Sequence, residues 1–171
     1  MNSRFNEARG ARRLAGCTAA LLLAFAANAF AQEGGCVQLT ATAATEVEYV
    51  NSQGRKVTRL VPPAKVVPGD EVVWTITAKN ICARPVDSVV IANPVPTHTR
   101  YVAGSAVGRT TTITYSLDGE KFLPAGALVV READGKTRPA RPDEYRFVRW
   151  AYQGALAPGA LAEVRYRAIV D

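Results

Sequence analysis

The residues best suited to catalysis are few. The chain has one histidine, His98, which lies in the polar segment PVPTHTR. Together with Ser105 and Asp87 it has the residue types of a hydrolytic triad, in which a histidine held by an acid activates a serine. No nucleophile elbow or other local catalytic signature surrounds Ser105. The sequence therefore favours an exposed loop histidine and predicts no catalytic residue, with a hydrolase as the disfavoured alternative.

Acidic residues occur in pairs close to predicted turns: Asp70 with Glu71, Asp118 with Glu120, and Asp143 with Glu144. Calcium requires several oxygen ligands that converge from one loop or site, and the spacing of a calcium loop is absent here. Solvated turn acids are the favoured interpretation. We expect no metal site and no bound cofactor.

A basic stretch near the C-terminal end contains the arginines Arg138, Arg141, Arg146 and Arg149. Such a stretch suits contact with an anionic surface such as lipopolysaccharide or membrane. A solvated strand face has the same pattern and is the favoured alternative. Contact with an anionic surface is therefore kept as a weak possibility.

The N-terminal segment has the features of a secretory signal peptide. A basic region with four arginines precedes the apolar run 14–27, which is too short to span a bilayer. The small-x-small sequence Ala29-Phe30-Ala31 predicts cleavage before Gln32. The lipobox-like LAGC that ends at Cys17 precedes the apolar run instead of closing it, which favours ordinary cleavage over lipidation. We expect a signal-peptide helix over 1–31.

The remaining residues, 32–171, have the length of one domain. The whole chain has 21 basic and 15 acidic residues, and removal of four arginines and Glu7 leaves a net charge of about +3. That mild charge and the predicted export argue against a nucleic-acid partner. We expect no transmembrane segment after cleavage and a location in the periplasm, on the outer surface or outside the cell.

Cys36 and Cys82 are the two cysteines that remain after cleavage. An even pair in an oxidising compartment favours a disulfide, and two separate buried thiols are the alternative. Cys36 begins the first predicted strand and Cys82 follows the strand that starts near Val72. If these strands are antiparallel neighbours, the two cysteines lie at the same end of the domain.

The elements that would position these residues all have the pattern of strands. After the turn Pro68-Gly69-Asp70, the residues Val72, Trp74, Ile76 and Ala78 alternate with more polar ones, which is typical of a half-buried strand. Other predicted strands are 37–42, 46–50, 56–61, 86–92, 101–102, 111–116, 128–131, 145–152 and 160–170. Seven or more short strands separated by turns predict an antiparallel two-sheet sandwich. We expect Trp74, Trp150 and Tyr166 to anchor its core.

Several motifs, taken together, resemble a bacterial repeat family called domain of unknown function eleven. These are VVPGDEVVWTITAKN, then VVIANPVP, YVAGSA, SLDGEKF, RPDEYRFVRW and APGALAEVRYRA. The resemblance covers about residues 66–168. It implies an immunoglobulin-like β-sandwich in an exported envelope or surface protein. The segment around Cys82 departs from the glycine-containing turn that is usual in the family.

The resemblance brings no catalytic residue to this chain. Intramolecular lysine–asparagine isopeptide bonds occur in related surface sandwiches, but Lys79 and Asn80 lie at a strand end and are disfavoured for that role. We therefore expect a non-enzymatic structural or interaction module of a bacterial cell envelope, with an unknown protein or envelope partner. The alternative is a periplasmic or fibre assembly module, or a ligand-binding module, that uses a strand edge.

Overall fold

The computed structural model describes residues 35–63 and 65–171, and this part of the chain is all-β. The predicted signal segment 1–31 lies outside the described residues. One turn of 3₁₀ helix, Pro142–Glu144, interrupts the strands. The strands are β1 Val37–Val50, β2 Lys56–Val61, β3 Glu71–Asn80, β4 Val90–Pro94, β5 Thr99–Tyr101, β6 Val107–Gly108, β7 Thr111–Ser116, β8 Val129–Arg131, β9 Thr137–Pro139, β10 Phe147–Tyr152 and β11 Leu161–Val170.

These strands form open antiparallel sheets. The larger sheet has the order β2-β1-β3-β11-β5, and β6 pairs with β11 as well. The second sheet has the order β4-β10-β7, and β8 with β9 forms a separate hairpin. Within the described residues, no helix has the length and apolar character needed to cross a membrane.

The two larger sheets contribute to one hydrophobic core. Trp150 from β10 and Tyr166 from β11 are both fully buried, and their ring centroids lie 6.1 Å apart. Trp74 on β3 packs against this core but is only partly buried. Alternate side chains of a strand point to the same face of its sheet, so the alternating pattern of β10 and β11 places Trp150 and Tyr166 in the core.

The turn that precedes β3 is fixed by hydrogen bonds at both ends. Gly69 has a φ of 94°, a left-handed conformation that glycine adopts without steric cost. Its N–H donates to the carbonyl of Val170 over 2.8 Å, and the Asp70 carboxylate accepts from the Val67 N–H over 2.8 Å. The Pro-Gly-Asp motif therefore joins the start of β3 to the end of β11.

Several predicted strand boundaries differ from those observed, and two of these differences have a clear physical reason. The segments predicted as 37–42 and 46–50 belong to one continuous strand, β1, because its first part pairs with β3 and its second part with β2. The strand predicted over 86–92 starts only at Val90, since Ser88 has a φ of 55° that breaks the extended chain. The same strand ends at Pro94 on a sheet edge, where a missing N–H is tolerated.

Candidate functional site

The first part of β1, residues 37–44, is an open sheet edge. Each of these residues is paired with β3, from Val37 opposite Asn80 to Ala44 opposite Val73. Among residues 35–63 and 65–171, no strand pairs with the other side of this segment. Alternate N–H and C=O groups therefore point away from the sheet without a strand partner. We call residues 37–44 the free edge.

The free edge lacks the features that usually protect a sheet edge. Its sequence is VQLTATAA, with no charged residue, no proline and no glycine. Natural proteins commonly place lysine, proline or a bulge on exposed edges to prevent pairing with another chain. An uncharged and regular edge of this length is therefore suited to strand addition.

The free edge also extends beyond the core. Leu39 lies opposite Ala78, a fully buried core residue, so both side chains point to the core-facing side of the sheet. Even so, 52% of Leu39 is exposed, and Ala41 on the same side is exposed as well. The core-facing side of the sheet is therefore open to solvent at Leu39 and Ala41.

Both ends of the free edge are fixed. At its start, Cys36 and Cys82 form a disulfide with a Cα–Cα distance of 5.1 Å, as the sequence predicted. Just beyond its end, the guanidinium of Arg167 donates to Glu46 over 2.7 Å and to Glu71 over 2.5 Å. The hydrogen bond from Arg167 lowers the pKa of the Glu46 carboxyl. These contacts hold the strand against the sheet while its outer side stays open.

Asn80, at the end of β3, is a buried polar residue, whereas its place in the sequence predicted only a strand end and a disfavoured isopeptide partner. Its side-chain amide donates to the carbonyls of Arg84 and Leu156, each over 2.8 Å, and its Oδ1 accepts from the Cys82 N–H over 2.9 Å. Lys79 is exposed, on the opposite face of β3. Asn80 thus shapes the loop that carries Cys82. In the sequence, its position at the end of a regular strand was the only indication of this role.

Ser105 and His98, two of the three residues with the types of a triad, have separate surroundings. The side-chain oxygen of Ser105 donates to the carbonyl of Val102 over 2.6 Å and accepts from the Arg167 N–H over 3.0 Å, so it serves the backbone. His98 is exposed and has a φ of 61°. Within the described residues, no hydrogen bond joins Ser105, His98 and Asp87. In this part of the chain, backbone groups engage the Ser105 hydroxyl.

The acidic pairs support their own turns. Asp118 accepts from the backbone N–H groups of Glu120 and Lys121, over 2.8 and 3.1 Å, and from the hydroxyl of Ser116. The two backbone hydrogen bonds are the main cause that lowers the pKa of Asp118. In the part of the chain that the structure describes, no group of three or more histidine, cysteine or acidic residues is placed to hold a metal ion.

Three arginines of the basic stretch have intramolecular partners. Arg138 donates to Glu144 over 2.6 and 2.7 Å and to Glu132 over 3.0 Å. Arg141 lies 3.3 Å from Asp143 and 3.5 Å from Glu144. The guanidinium of Arg149 lies over the ring of Phe122, 4.3 Å from its centroid. The carboxylate partners of Arg138 and Arg141 offset part of the positive charge that the stretch presents to an anionic surface.

An open cleft of about 710 Å³ lies beside the start of β11. It is lined by Val107, Gly108, Arg109, Tyr152, Leu161 and Arg165, among others. Leu161 and Val107 are exposed at its rim, and Arg165 is paired with Glu163 over 2.6 Å. Its lining combines this apolar rim with the charged side chains of Arg109, Glu163 and Arg165.

Comparisons of the chain with models of protein families, with curated proteins and with solved structures found no match in any of the three. The case for a function therefore rests on the free edge, which is the most distinctive surface of the described chain.

Proposed function

We propose that the protein is an exported, non-enzymatic interaction module of a bacterial cell envelope, which binds an extended partner segment by strand addition at the free edge. The single observation that carries this proposal is the unpaired and uncharged edge of residues 37–44. In strand addition, the backbone hydrogen bonds supply affinity and the alternating side chains supply specificity.

The proposed fold is an immunoglobulin-like two-sheet sandwich. Support comes from the core shared by the two larger sheets, where Trp150 and Tyr166 meet, and from the resemblance to domain of unknown function eleven. In such a fold the rigid core holds the sheet edges in place. A strand that joins the edge would extend the larger sheet beyond β1.

Export is supported by the disulfide between Cys36 and Cys82. Disulfides form and persist in oxidising compartments and are rare in a reducing cytoplasm. The signal-peptide features of residues 1–31 also support export. A binding role without catalysis is supported by Ser105, whose hydroxyl is engaged by the backbone, and by the exposed position of His98.

The free edge can form a substantial ladder. Along eight residues, four residues direct both backbone groups outward, so an added strand has about eight hydrogen bonds available. Each hydrogen bond contributes about 1 kcal/mol net. This sum must exceed the cost of ordering the incoming segment, so the affinity depends on the side chains that flank the ladder.

The test compares native complexes of the protein in the bacterium that produces it. Thr40→Lys places a charge on the free edge, whereas Thr58→Lys makes the same change at an exposed position of β2. We expect the wild type and Thr58→Lys to migrate in the same complex, larger than the free protein, on native gels of envelope fractions. Thr40→Lys should migrate as the free protein.

Circular dichroism and urea unfolding of both variants provide the folding control. If Thr40→Lys remains folded and stays in the wild-type complex, strand addition at the free edge is refuted. Migration of the wild type as a free protein in every envelope fraction would also refute it.

A further inference from the structure

We propose that the segment bound at the free edge is the free edge of a second copy of this chain. The two β1 strands would pair antiparallel across a two-fold axis perpendicular to the sheet. This inference rests on the proposed function, because it names the partner of the same edge. An interface of this kind is isologous: the same residues contribute from both copies.

The two-fold axis limits the possible registers. Residues that face each other across an antiparallel ladder point to the same side of the sheet, so the axis passes beside one residue that faces its own copy. The centre of the free edge offers Thr40 or Ala41 for that position. With Thr40 at the axis, Leu39 faces Ala41 of the second copy. With Ala41 at the axis, Leu39 faces Ala43 of the second copy.

Neither register brings like charges together. The first charged residue along β1 is Glu46. In either register Glu46 lies outside the free edge, in the part of β1 that pairs with β2 through Leu60. Glu46 is also held by Arg167 in its own copy. Since like charges directly opposite each other destabilise a ladder, their absence makes this edge compatible with itself.

The side of the sheet that faces the core favours the same pairing. Val37, Leu39 and Ala41 lie on this side, opposite Asn80, Ala78 and Ile76 of β3. Leu39 is 52% exposed and Ala41 is exposed. In the pair, the two strips of apolar side chains would become neighbours and would shield each other from water.

A foreign segment is the competing occupant. Strand addition selects a foreign segment through pockets or charges that recognise alternate side chains. The free edge carries no charged side chain, and its residues between Leu39 and Ala44 are only threonines and alanines. Such an edge has few side chains that could recognise a particular foreign sequence. A second copy, in contrast, matches it in length, in lack of charge and in its strip of apolar side chains.

One strand pair forms a small interface, below the roughly 1,600 Å² that is standard for stable complexes. We therefore expect a dimer that dissociates on dilution. In analytical ultracentrifugation of the purified exported protein, Thr40→Lys should raise the dissociation constant at least about tenfold, since two lysines would face each other or lie close together across the axis. Thr58→Lys should change it less than about twofold.

Cysteine cross-linking determines the register. A residue at the axis lies about 4.5–5.5 Å from its own copy between Cα atoms, which is within the range of a disulfide. We expect either Thr40→Cys or Ala41→Cys to give a covalent dimer under mild oxidation, and Thr58→Cys to give none. Peptide mapping must show that the bond between Cys36 and Cys82 is intact.

Three outcomes overturn the second copy as partner. One is a monomer at all concentrations with no cross-link at position 40 or 41. Another is a dimer that Thr40→Lys and Thr58→Lys weaken equally, since it would use a different surface. The last is a complex from the bacterium that depends on the free edge but contains only one copy of this chain. That last outcome leaves the proposed function intact, so the two failures are distinguishable.

Discussion

Val37 and Asn80 lie directly opposite each other at the end of the ladder between β1 and β3. Cys36 and Cys82 flank this pair, and the ladder brings their Cα atoms to 5.1 Å. The N–H of Ile81 also donates to the carbonyl of Cys36 over 2.9 Å. One strand pairing therefore places the disulfide, and the disulfide in turn fixes the start of the free edge.

Removal of the disulfide should destabilise the protein. The bond joins residues 46 positions apart in the sequence, and the chain-entropy model gives about 4 kcal/mol for a loop of this length. We expect the double variant Cys36→Ala, Cys82→Ala to lose about that much in urea unfolding. Reduced wild type is the matched comparison. A loss below about 1 kcal/mol would mean that the unfolded chain gains little freedom from the broken bond.

Asn80→Ala should be nearly as costly, although it removes only a small side chain. The substitution removes the hydrogen bonds to the carbonyls of Arg84 and Leu156 and from the N–H of Cys82, although the Leu156 carbonyl still accepts from the Val86 N–H. Each buried polar group that loses its partner costs about 1–3 kcal/mol. We expect a total loss of about 2–4 kcal/mol by equilibrium unfolding. Asn51→Ala, in the β1–β2 turn, is the control for loss of a turn asparagine, and an equal loss there would contradict the role of Asn80.

Acid should weaken the contact between Glu144 and Arg138. The hydrogen bonds from Arg138 lower the pKa of Glu144 to about 2, from an ordinary value of 4.5. Because the folded state holds the carboxylate more strongly than the unfolded state, this contribution is complete above the ordinary pKa. It decreases as the pH falls from about 5 towards 2. Urea midpoints of the wild type and Glu144→Gln should therefore differ at pH 6 and converge near pH 2.

That pH prediction has a matched control in the same chain. Glu163→Gln removes a carboxylate that pairs with Arg165 over 2.6 Å on an exposed strand face. Exposed pairs of this kind contribute little to stability. A difference between wild type and Glu144→Gln that does not change with pH would show that Arg138 does not hold the carboxylate in the folded protein.

The two tryptophans should differ in their contribution to stability. Trp150 is fully buried against Tyr166, so Trp150→Ala should cost about 3–5 kcal/mol. Trp74 is only partly buried, so Trp74→Ala should cost less, because part of its surface is in water in the folded state as well. Equilibrium unfolding of both variants measures the difference. A larger loss at Trp74 would place the centre of the core nearer β3.

Much of the β pattern was readable from the sequence. Alternation along β3, β10 and β11 identified strands and their buried faces, because the period of two is a local property of the extended chain. The segment 111–116 was predicted with the bounds that β7 has. Short elements such as β6 and β9 were not predicted. They are held by pairing with β11 and β8, and residues so few carry no periodic signal.

The free edge is a feature that the sequence pattern could not predict. The sequence showed an uncharged strand near Val37, but which strands neighbour β1, and on which side, depends on pairing over long sequence separations. The same holds for Gly108, where a Cβ would lie 2.7 Å from the Thr111 hydroxyl and 2.9 Å from Val164. Glycine in a sequence does not reveal such a close approach.

The sequence by itself thus determined the all-β class, the alternating faces and the two cysteines available for a disulfide, since each depends on local pattern or composition. Only the tertiary structure decided that residues 37–44 pair with β3 and with no other strand among the described residues, that Asn80 is buried, and that Leu39 stays exposed on the core-facing side. The physical reason is that burial and edge exposure are properties of the whole set of packed strands. A residue's neighbours in the chain do not specify which distant strand covers it.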